Sequence, residues 1–95
     1  MKDLNLYSTP WTVYQNARNL YGYDVDIKPS IRKDKKYMIY DKDDDKWVHF
    51  GQYRYEDYTK HKDEKRRNKF LSRNHKWLKR GKYSPAFLSY NLLWN

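Results

Sequence analysis

The chain has 95 residues, a formal net charge of +9 and an aromatic content of 19%. This length suits one domain with a thin core, and the lack of cysteine excludes a disulfide framework and thiolate metal sites. No apolar run approaches the roughly 20 residues that span a bilayer, and the first residues lack the apolar stretch of a secretory signal, so we expect a reducing compartment and no membrane partner.

The N-terminal region is predicted to begin extended and then to form a helix. Residues 1–8 alternate apolar and polar side chains, which is typical of an extended segment. Thr9 and Pro10 suit the N-cap and the first position of a helix. We expect this helix to run to about Tyr21 and to end at Gly22.

One face of the predicted N-terminal helix is aromatic. Trp11, Tyr14 and Tyr21 fall together on it, which predicts a protein interface. Residues 1–27 are therefore interpreted as an N-terminal arm and docking helix within a single domain, residues 1–95. Polar and apolar side chains alternate over residues 24–29, which predicts a brief extended segment before the next element.

Two β-rich runs follow, Lys36–Tyr40 and Lys46–Phe50, each with a period of two. The acidic residues 41–45 separate them, which predicts a β-hairpin with a five-residue loop. Both faces are partly apolar, so we expect helices on one side and the N-terminal segment or a neighbour on the other. Residues 52–58 indicate only a turn or a single helical turn.

The acidic loop resembles the start of a calcium-binding EF-hand, because Asp41, Asp43 and Asp45 fall at its first, third and fifth positions. Lys46 then stands where the EF-hand needs glycine, and Gln52 where it needs a bidentate glutamate. The pattern therefore favours a solvated hairpin tip that discourages edge pairing. We expect neither a metal nor a cofactor.

The histidines His49, His61 and His75 are the remaining candidates for a metal site or a nuclease. A hairpin followed by a helix is similar to the ββα-metal nucleases, but these spacings match no ligand motif. Neither a glycine-rich phosphate loop nor a serine elbow occurs. The sequence therefore favours partly buried polar-aromatic roles for the histidines, and we do not expect an enzyme.

Positive charge is concentrated in residues 59–80, which carry ten basic residues against only Asp63 and Glu64, whereas residues 1–58 are neutral overall. We predict one helix over about 63–80, because apolar and basic residues separate into two faces. Its inward face is predicted to hold Phe70, Leu71, Asn74, Trp77 and Leu78. Its basic face is predicted to hold Lys65, Lys69, Arg73, Lys76 and Arg80.

A concentrated cationic surface attracts polyanions, and the commonest of these in a cell are nucleic acids and anionic membrane faces. We expect contacts to the phosphate backbone that do not depend on base sequence and that weaken steeply with salt. The alternative interpretation is a solvated surface that only keeps the protein soluble. The predicted polyanion-binding residues are Lys65, Arg66, Arg67, Lys69, Arg73, Lys76, Lys79 and Arg80.

A last helix is predicted over about 85–93, because Ser84 and Pro85 again suit the N-cap and first position. Its apolar residues Phe87, Leu88 and Leu92 would close the core. The elements together predict a small α+β domain in which a β-hairpin packs on two or three helices.

A series of short motifs over residues 28–95 resembles the pattern of an uncharacterised family of small basic proteins encoded by tailed phages and large DNA viruses of eukaryotes. The matching positions are Lys28–Ser30, Lys35–Tyr37, His49–Gly51, Tyr55–Asp63, Arg66–Arg67, Phe70, Arg73, Ser84–Pro85, Phe87, Ser89 and Leu92–Trp94. The resemblance implies a viral origin and a location in the virion, with the host cytoplasm as the location before packaging.

Charge and resemblance together predict a small structural or accessory protein of a virus particle. It would associate with capsid or another virion protein and contact an acidic capsid surface or the packaged genome. Nucleic acid is therefore a second expected partner, bound through its backbone. The alternative is a free, non-sequence-specific nucleic-acid-binding protein that acts in viral replication or packaging.

Overall fold

The computed structural model describes residues 3–95, which form a three-stranded antiparallel sheet and a set of helices. The strands, in spatial order, are β1 (Ile27–Pro29), β2 (Lys35–Asp41) and β3 (Lys46–Gln52). The helices are α1 (Pro10–Tyr21), α2 (Tyr58–His61), α3 (Glu64–Arg73) and α4 (Pro85–Leu88). Shorter pieces are 3₁₀ segments at Leu4–Leu6 and His75–Lys79 and a π-helical segment at Ser89–Leu93. The predicted α+β class is confirmed.

The predicted hairpin is formed by β2 and β3, which pair as far as Asp41 opposite Lys46. The loop is therefore residues 42–45, one residue shorter than predicted, because Asp41 still belongs to the ladder. The Asp41 carboxylate accepts the backbone N–H groups of Asp43 (2.9 Å) and Asp44 (3.2 Å). Asp41 is only 4% exposed, so it holds the turn rather than lying in solvent.

The short strand β1 pairs with β2 on the side opposite to β3, with Ile27 facing Ile39. The predicted extended segment over 24–29 thus joins the sheet as an edge strand. Pro29, which has no N–H to donate, suits this edge position.

The core lies on the sheet face formed by alternate residues of β2 and β3. Tyr37 and Phe50 are fully buried there, with ring centroids 5.8 Å apart. Val13 and Ala17 of α1 are also fully buried, so α1 packs as part of the common core. The buried cluster consists of Leu4, Val13, Ala17, Tyr37, Ile39, Val48, Phe50, Leu88, Leu92 and Leu93.

Leu4–Leu6 form a 3₁₀ turn that is completed by Tyr7, so the extended conformation predicted for residues 1–8 is wrong for residues 4–7, whereas Asp3 is extended. Residues 1 and 2 lie outside the described chain. The carbonyl of Leu4 accepts the N–H groups of Tyr7 (3.0 Å) and Ser8 (2.8 Å). The turn buries Leu4 and leaves Leu6 56% exposed. Two leucines at a spacing of two therefore do not share one face.

The predicted basic helix over 63–80 is present as two pieces, α3 and the 3₁₀ segment His75–Lys79, which meet at Asn74. The side-chain amide and the backbone N–H of Asn74 both donate to the Phe70 carbonyl at 3.0 Å. The next turn is tighter, because the Trp77 N–H donates to the Asn74 carbonyl at 2.8 Å. Across this break the rings of Phe70 and Trp77 are in edge-to-face contact, with centroids 5.7 Å apart.

The C-terminal helical region begins at Pro85 as predicted, and the Ser84 hydroxyl caps it by accepting the Phe87 N–H at 3.2 Å. From Ser89 the helix widens into the π-helical segment. The carbonyl of Leu92 in that segment accepts the Asn16 side-chain amide of α1 at 3.0 Å. The π-helical segment is thereby held against α1.

A buried ion pair joins the hairpin to α2. Lys36 Nζ lies 3.0 Å from Asp57 Oδ2, and the two side chains are 2% and 1% exposed. Lys36 also donates to the Tyr55 carbonyl, and Asp57 also accepts the Thr59 hydroxyl. Burial lowers the pKa of the Lys36 ammonium, and the nearby Asp57 opposes that shift. Both charged groups have the additional hydrogen bonds that a buried pair requires.

Hydroxyl groups extend this pair to the N-terminal segment. The Tyr37 hydroxyl donates to Ser8 Oγ at 2.7 Å, and Ser8 Oγ lies 3.2 Å from Thr59 Oγ1. Thr59 Oγ1 also accepts the Thr9 N–H at 2.9 Å. Ser8 and Thr59 are each 1% exposed. The network therefore ties β2, α2 and the start of α1 into one unit.

Asp57→Asn is expected to lower the free energy of unfolding by about 3–5 kcal/mol, because the Lys36 charge would stay buried without its counter-charge. Urea denaturation followed by circular dichroism measures this change. Asp24→Asn is the matched control, since Asp24 pairs with Lys42 at 3.3 Å on the exposed surface. Its effect should stay within about 0.5 kcal/mol. Equal losses in the two variants would contradict the role of the buried pair.

Candidate polyanion-binding surface

The exposed cations of α3 lie on one side of the helix, within about 100° of arc at 3.6 residues per turn. They are Lys65, Arg66, Lys69 and Arg73. Three more exposed cations continue along and just beyond the 3₁₀ segment, namely Lys76, Lys79 and Arg80. We call these seven residues the basic surface.

The basic surface is not neutralised by the chain itself. None of its seven side chains forms an ion pair with a carboxylate of residues 3–95. Asp63, the nearest acidic residue before α3, is the N-cap and accepts the backbone N–H groups of Lys65 (3.0 Å) and Arg66 (3.2 Å). Glu64 accepts the Tyr58 hydroxyl. These carboxylates stabilise the start of the helix.

Arg67 was predicted to bind polyanions, but it has an internal role. Its Nε donates to the Trp94 carbonyl at 3.0 Å, and its Nη1 lies 3.8 Å from Glu64 Oε2. Its guanidinium also stacks 5.2 Å from the centre of the Tyr58 ring. The side chain is 26% exposed. Arg67 therefore fixes α3 to the rest of the protein and does not belong to the basic surface.

Aromatic stacking anchors α3. The rings of Phe70 and Trp94 are parallel, with centroids 4.3 Å apart and an interplanar angle of 6°. No residue of α3 is fully buried, so this stack and Arg67 are its main attachments. Trp77 packs edge-on against Phe70, as a member of the predicted inward face, whereas Leu78 of that face is 41% exposed. The break at Asn74 turns Leu78 outward.

The aromatic residues predicted to form a protein interface have different environments. Tyr14 packs edge-on against Tyr37 with centroids 5.8 Å apart, and burial raises the pKa of its hydroxyl. Tyr21 stacks on Tyr83 at 5.1 Å and donates to the Lys82 carbonyl. Trp11 remains 70% exposed. The helix face was predicted as a unit, but Tyr14 and Tyr21 are engaged within the chain and Trp11 alone is free to contact a partner.

An open cleft of about 570 Å³ lies between β3 and the segment that precedes α4. Trp47, His49 and Tyr83 line it together with acidic and basic side chains, and Lys82 crosses it to reach Asp43 at 3.7 Å. The charges on its walls are mixed, so the cleft does not extend the basic surface.

The histidines are separated in the fold. His49 Nδ1 lies 2.6 Å from the Ser30 hydroxyl, His75 is exposed, and His61 packs against Trp94. Over residues 3–95, no group of three or more histidine or acidic side chains is arranged to hold a metal ion. Within the same residues, no helix has the length and apolar character needed to cross a membrane.

Phe70→Ala is expected to release α3, because it removes the ring that stacks on Trp94. We expect a loss of about 2–3 kcal/mol in the free energy of unfolding and less helical signal in far-ultraviolet circular dichroism. Leu78→Ala is the control, since Leu78 is a large apolar residue that is 41% exposed in the 3₁₀ segment after α3. Comparable losses in both variants would show that Phe70 is not the anchor.

Comparison with known proteins places the chain in a family without assigning an activity. A family of unknown function, DUF5754, matches residues 25–74, from just before β1 to the end of α3. No curated protein and no solved structure matches the chain. The resemblance to viral proteins therefore stays a prediction. Because the match covers more than half of the 95 residues, the chain belongs to the DUF5754 family.

Proposed function

We propose that this protein is a small basic structural or accessory component of a virus particle and that its basic surface binds a polyanion. The polyanion is the packaged genome or an acidic face of a capsid protein. The supporting observation is the set of seven exposed cations, which have no carboxylate partner within the described chain. The virion setting rests on the resemblance of residues 28–95 to viral proteins.

The distribution of charged residues argues against solubility as the sole role of the basic surface. Cations that serve only solubility are expected to be interspersed with acidic residues. That is the case in residues 1–58, which carry ten basic and ten acidic residues. The segment from Lys65 to Arg80 carries eight basic residues and no acidic one. Its positive potential therefore favours the binding of an external negative charge.

The shape of the basic surface favours contacts to a nucleic-acid backbone over reading of bases. Its lysines and arginines are exposed, four on the short helix α3 and three along and just beyond the 3₁₀ segment. The helix is anchored by its aromatic side, which leaves the basic side available. If four to six cations contact phosphates, the logarithm of the binding constant should fall with the logarithm of salt with a slope of about −4 to −5.

Replacing two cations of the basic surface is expected to reduce both affinity and salt dependence. In Lys69→Gln/Arg73→Gln, the salt slope for a duplex DNA of arbitrary sequence should become shallower by about 2, because two phosphate contacts are lost. Fluorescence anisotropy titrations over a range of salt concentrations measure the slope.

The matched control, Lys33→Gln/Arg54→Gln, removes the same charge from exposed positions outside the basic surface. It should keep a slope close to that of the wild type. If both double variants change the slope equally, net charge alone governs binding and the basic surface has no special role.

Composition of purified particles separates the virion role from the alternative, a free nucleic-acid-binding protein. A virion component should be present at a fixed, stoichiometric copy number in quantitative mass spectrometry of particles from the encoding virus. Many copies per particle would turn a weak individual contact into a strong collective one. Absence from particles, together with tight DNA binding in solution, would support the alternative.

A further inference from the structure

His61 occupies the corner between α2 and α3 and contacts the ring on which α3 rests. It is the last residue of α2, and its ring centroid lies 5.1 Å from that of Trp94 and 6.1 Å from that of Tyr58. Trp94 stacks in turn on Phe70 of α3. His61 therefore touches both the start of the helix that carries the basic surface and its main anchor.

The hydrogen bonding of His61 requires a neutral ring. The backbone N–H of Asp63 donates to His61 Nδ1 at 3.0 Å, so Nδ1 carries a lone pair and the ring proton lies on Nε2. Nε2 is buried and has no hydrogen-bond partner among the described residues. Protonation places an N–H on Nδ1, directly facing the Asp63 N–H, and the hydrogen bond is lost.

This hydrogen bond holds a corner with uncommon backbone geometry. Lys62, between His61 and Asp63, adopts the left-handed conformation with φ of 57°, which is uncommon for residues other than glycine. Asp63 is the N-cap of α3. Loss of the bond therefore removes a contact that ties the N-cap residue of α3 to α2.

Charged groups from several elements surround the His61 ring. Burial is the larger cause that lowers the pKa of His61 from its ordinary value of 6.5, and Arg66 of α3 lowers it further. The carboxylates that act in the opposite direction are Glu56, Asp63 and Asp57. The nearby rings of Tyr58 and Trp94 carry no charge at neutral pH. The net effect keeps His61 neutral there.

We propose that His61 is a pH-sensitive clasp, meaning a contact that holds α3 in place only while the His61 ring is neutral. Its protonation breaks the bond to Asp63 and releases α3, which carries part of the basic surface, from Trp94. This regulation rests on the proposed polyanion binding, since it acts on the same surface. A released α3 has to be ordered again on binding, which weakens affinity. General acidification alone adds positive charge and strengthens polyanion binding, so the clasp acts against the usual trend.

The direction of the pH effect follows from linkage. The pKa of His61 is lower in the closed form than in an open form, where it returns towards 6.5. The closed form is therefore fully favoured above that ordinary value and loses stability as the pH falls from it through the lower pKa.

The test uses the full chain at about pH 7.5 and about pH 5.5, on either side of the ordinary histidine pKa. Hydrogen exchange of α3 backbone amides reports opening, and NMR titration of the histidine rings reports protonation. After correction for intrinsic exchange rates, wild-type α3 is expected to exchange several-fold faster at the lower pH, in step with the titration of His61.

His61→Asn keeps an acceptor near the Nδ1 position and does not titrate, so its α3 exchange should be insensitive to pH. His75→Asn is the matched control, because His75 is an exposed histidine beside α3, and it should keep the wild-type response. Equal responses in the wild type and His61→Asn would overturn the clasp. If His61→Asn does not fold, wild-type α3 opening that is out of step with His61 titration would overturn it.

DNA binding at the two pH values separates the clasp from the proposed function. Wild-type affinity for duplex DNA is expected to fall a few-fold at the lower pH, and that of His61→Asn to hold or rise. Binding with the same pH dependence in both proteins would overturn the clasp alone. No binding to duplex DNA at either pH, with α3 exchange still following His61, would support the clasp. It would overturn nucleic acid as the polyanion of the proposed function, and the regulation of DNA binding with it.

Discussion

The ion pair between Lys36 and Asp57 is the buried polar contact through which the sheet holds α2. Lys36 belongs to the central strand β2, and Asp57 is the N-cap residue of α2. A helix as short as α2 has little stability of its own, so its position is set by this pair and by Thr59, which bonds Asp57, Ser8 and Thr9. The sheet, α2 and the start of α1 thus form one rigid base.

The basic helix is attached to that base at a few points. His61 at the end of α2 accepts the N–H of Asp63, and Asp63 caps α3. Phe70 and Arg67 then bind the ring and the carbonyl of Trp94. A helix with no fully buried residue and many like charges is marginal alone. Its order therefore depends on contacts at its first two turns and on one aromatic stack.

Local patterns predicted the elements of this fold well, because hydrophobic period, proline position and capping residues are local properties. They identified the hairpin and the starts of α1 and α4 at Pro10 and Pro85. They did not reveal the buried role of Lys36, because its partner lies 21 residues away and a lysine in a strand is usually exposed. The same limit applies to Arg67, whose contact is the carbonyl of Trp94, 27 residues along the chain. The predicted basic helix is divided at Asn74, where the side-chain amide bonds the Phe70 carbonyl. The helical periodicity of the sequence does not reveal such a side-chain hydrogen bond.

Arg66 and Arg67 show why a count of charges overstates a binding surface. They are adjacent in sequence and identical in type, yet Arg66 is exposed and Arg67 holds α3 in place. Lys36 likewise contributes to the net charge and is buried against Asp57. When such internally bonded cations are left out of the count, the exposed cations from Lys65 to Arg80 remain, and they retain the concentration of charge on which the polyanion proposal depends. Arg67 also holds α3 in place. Basic residues in this chain therefore serve two purposes, since some stabilise the fold and others are exposed to a partner.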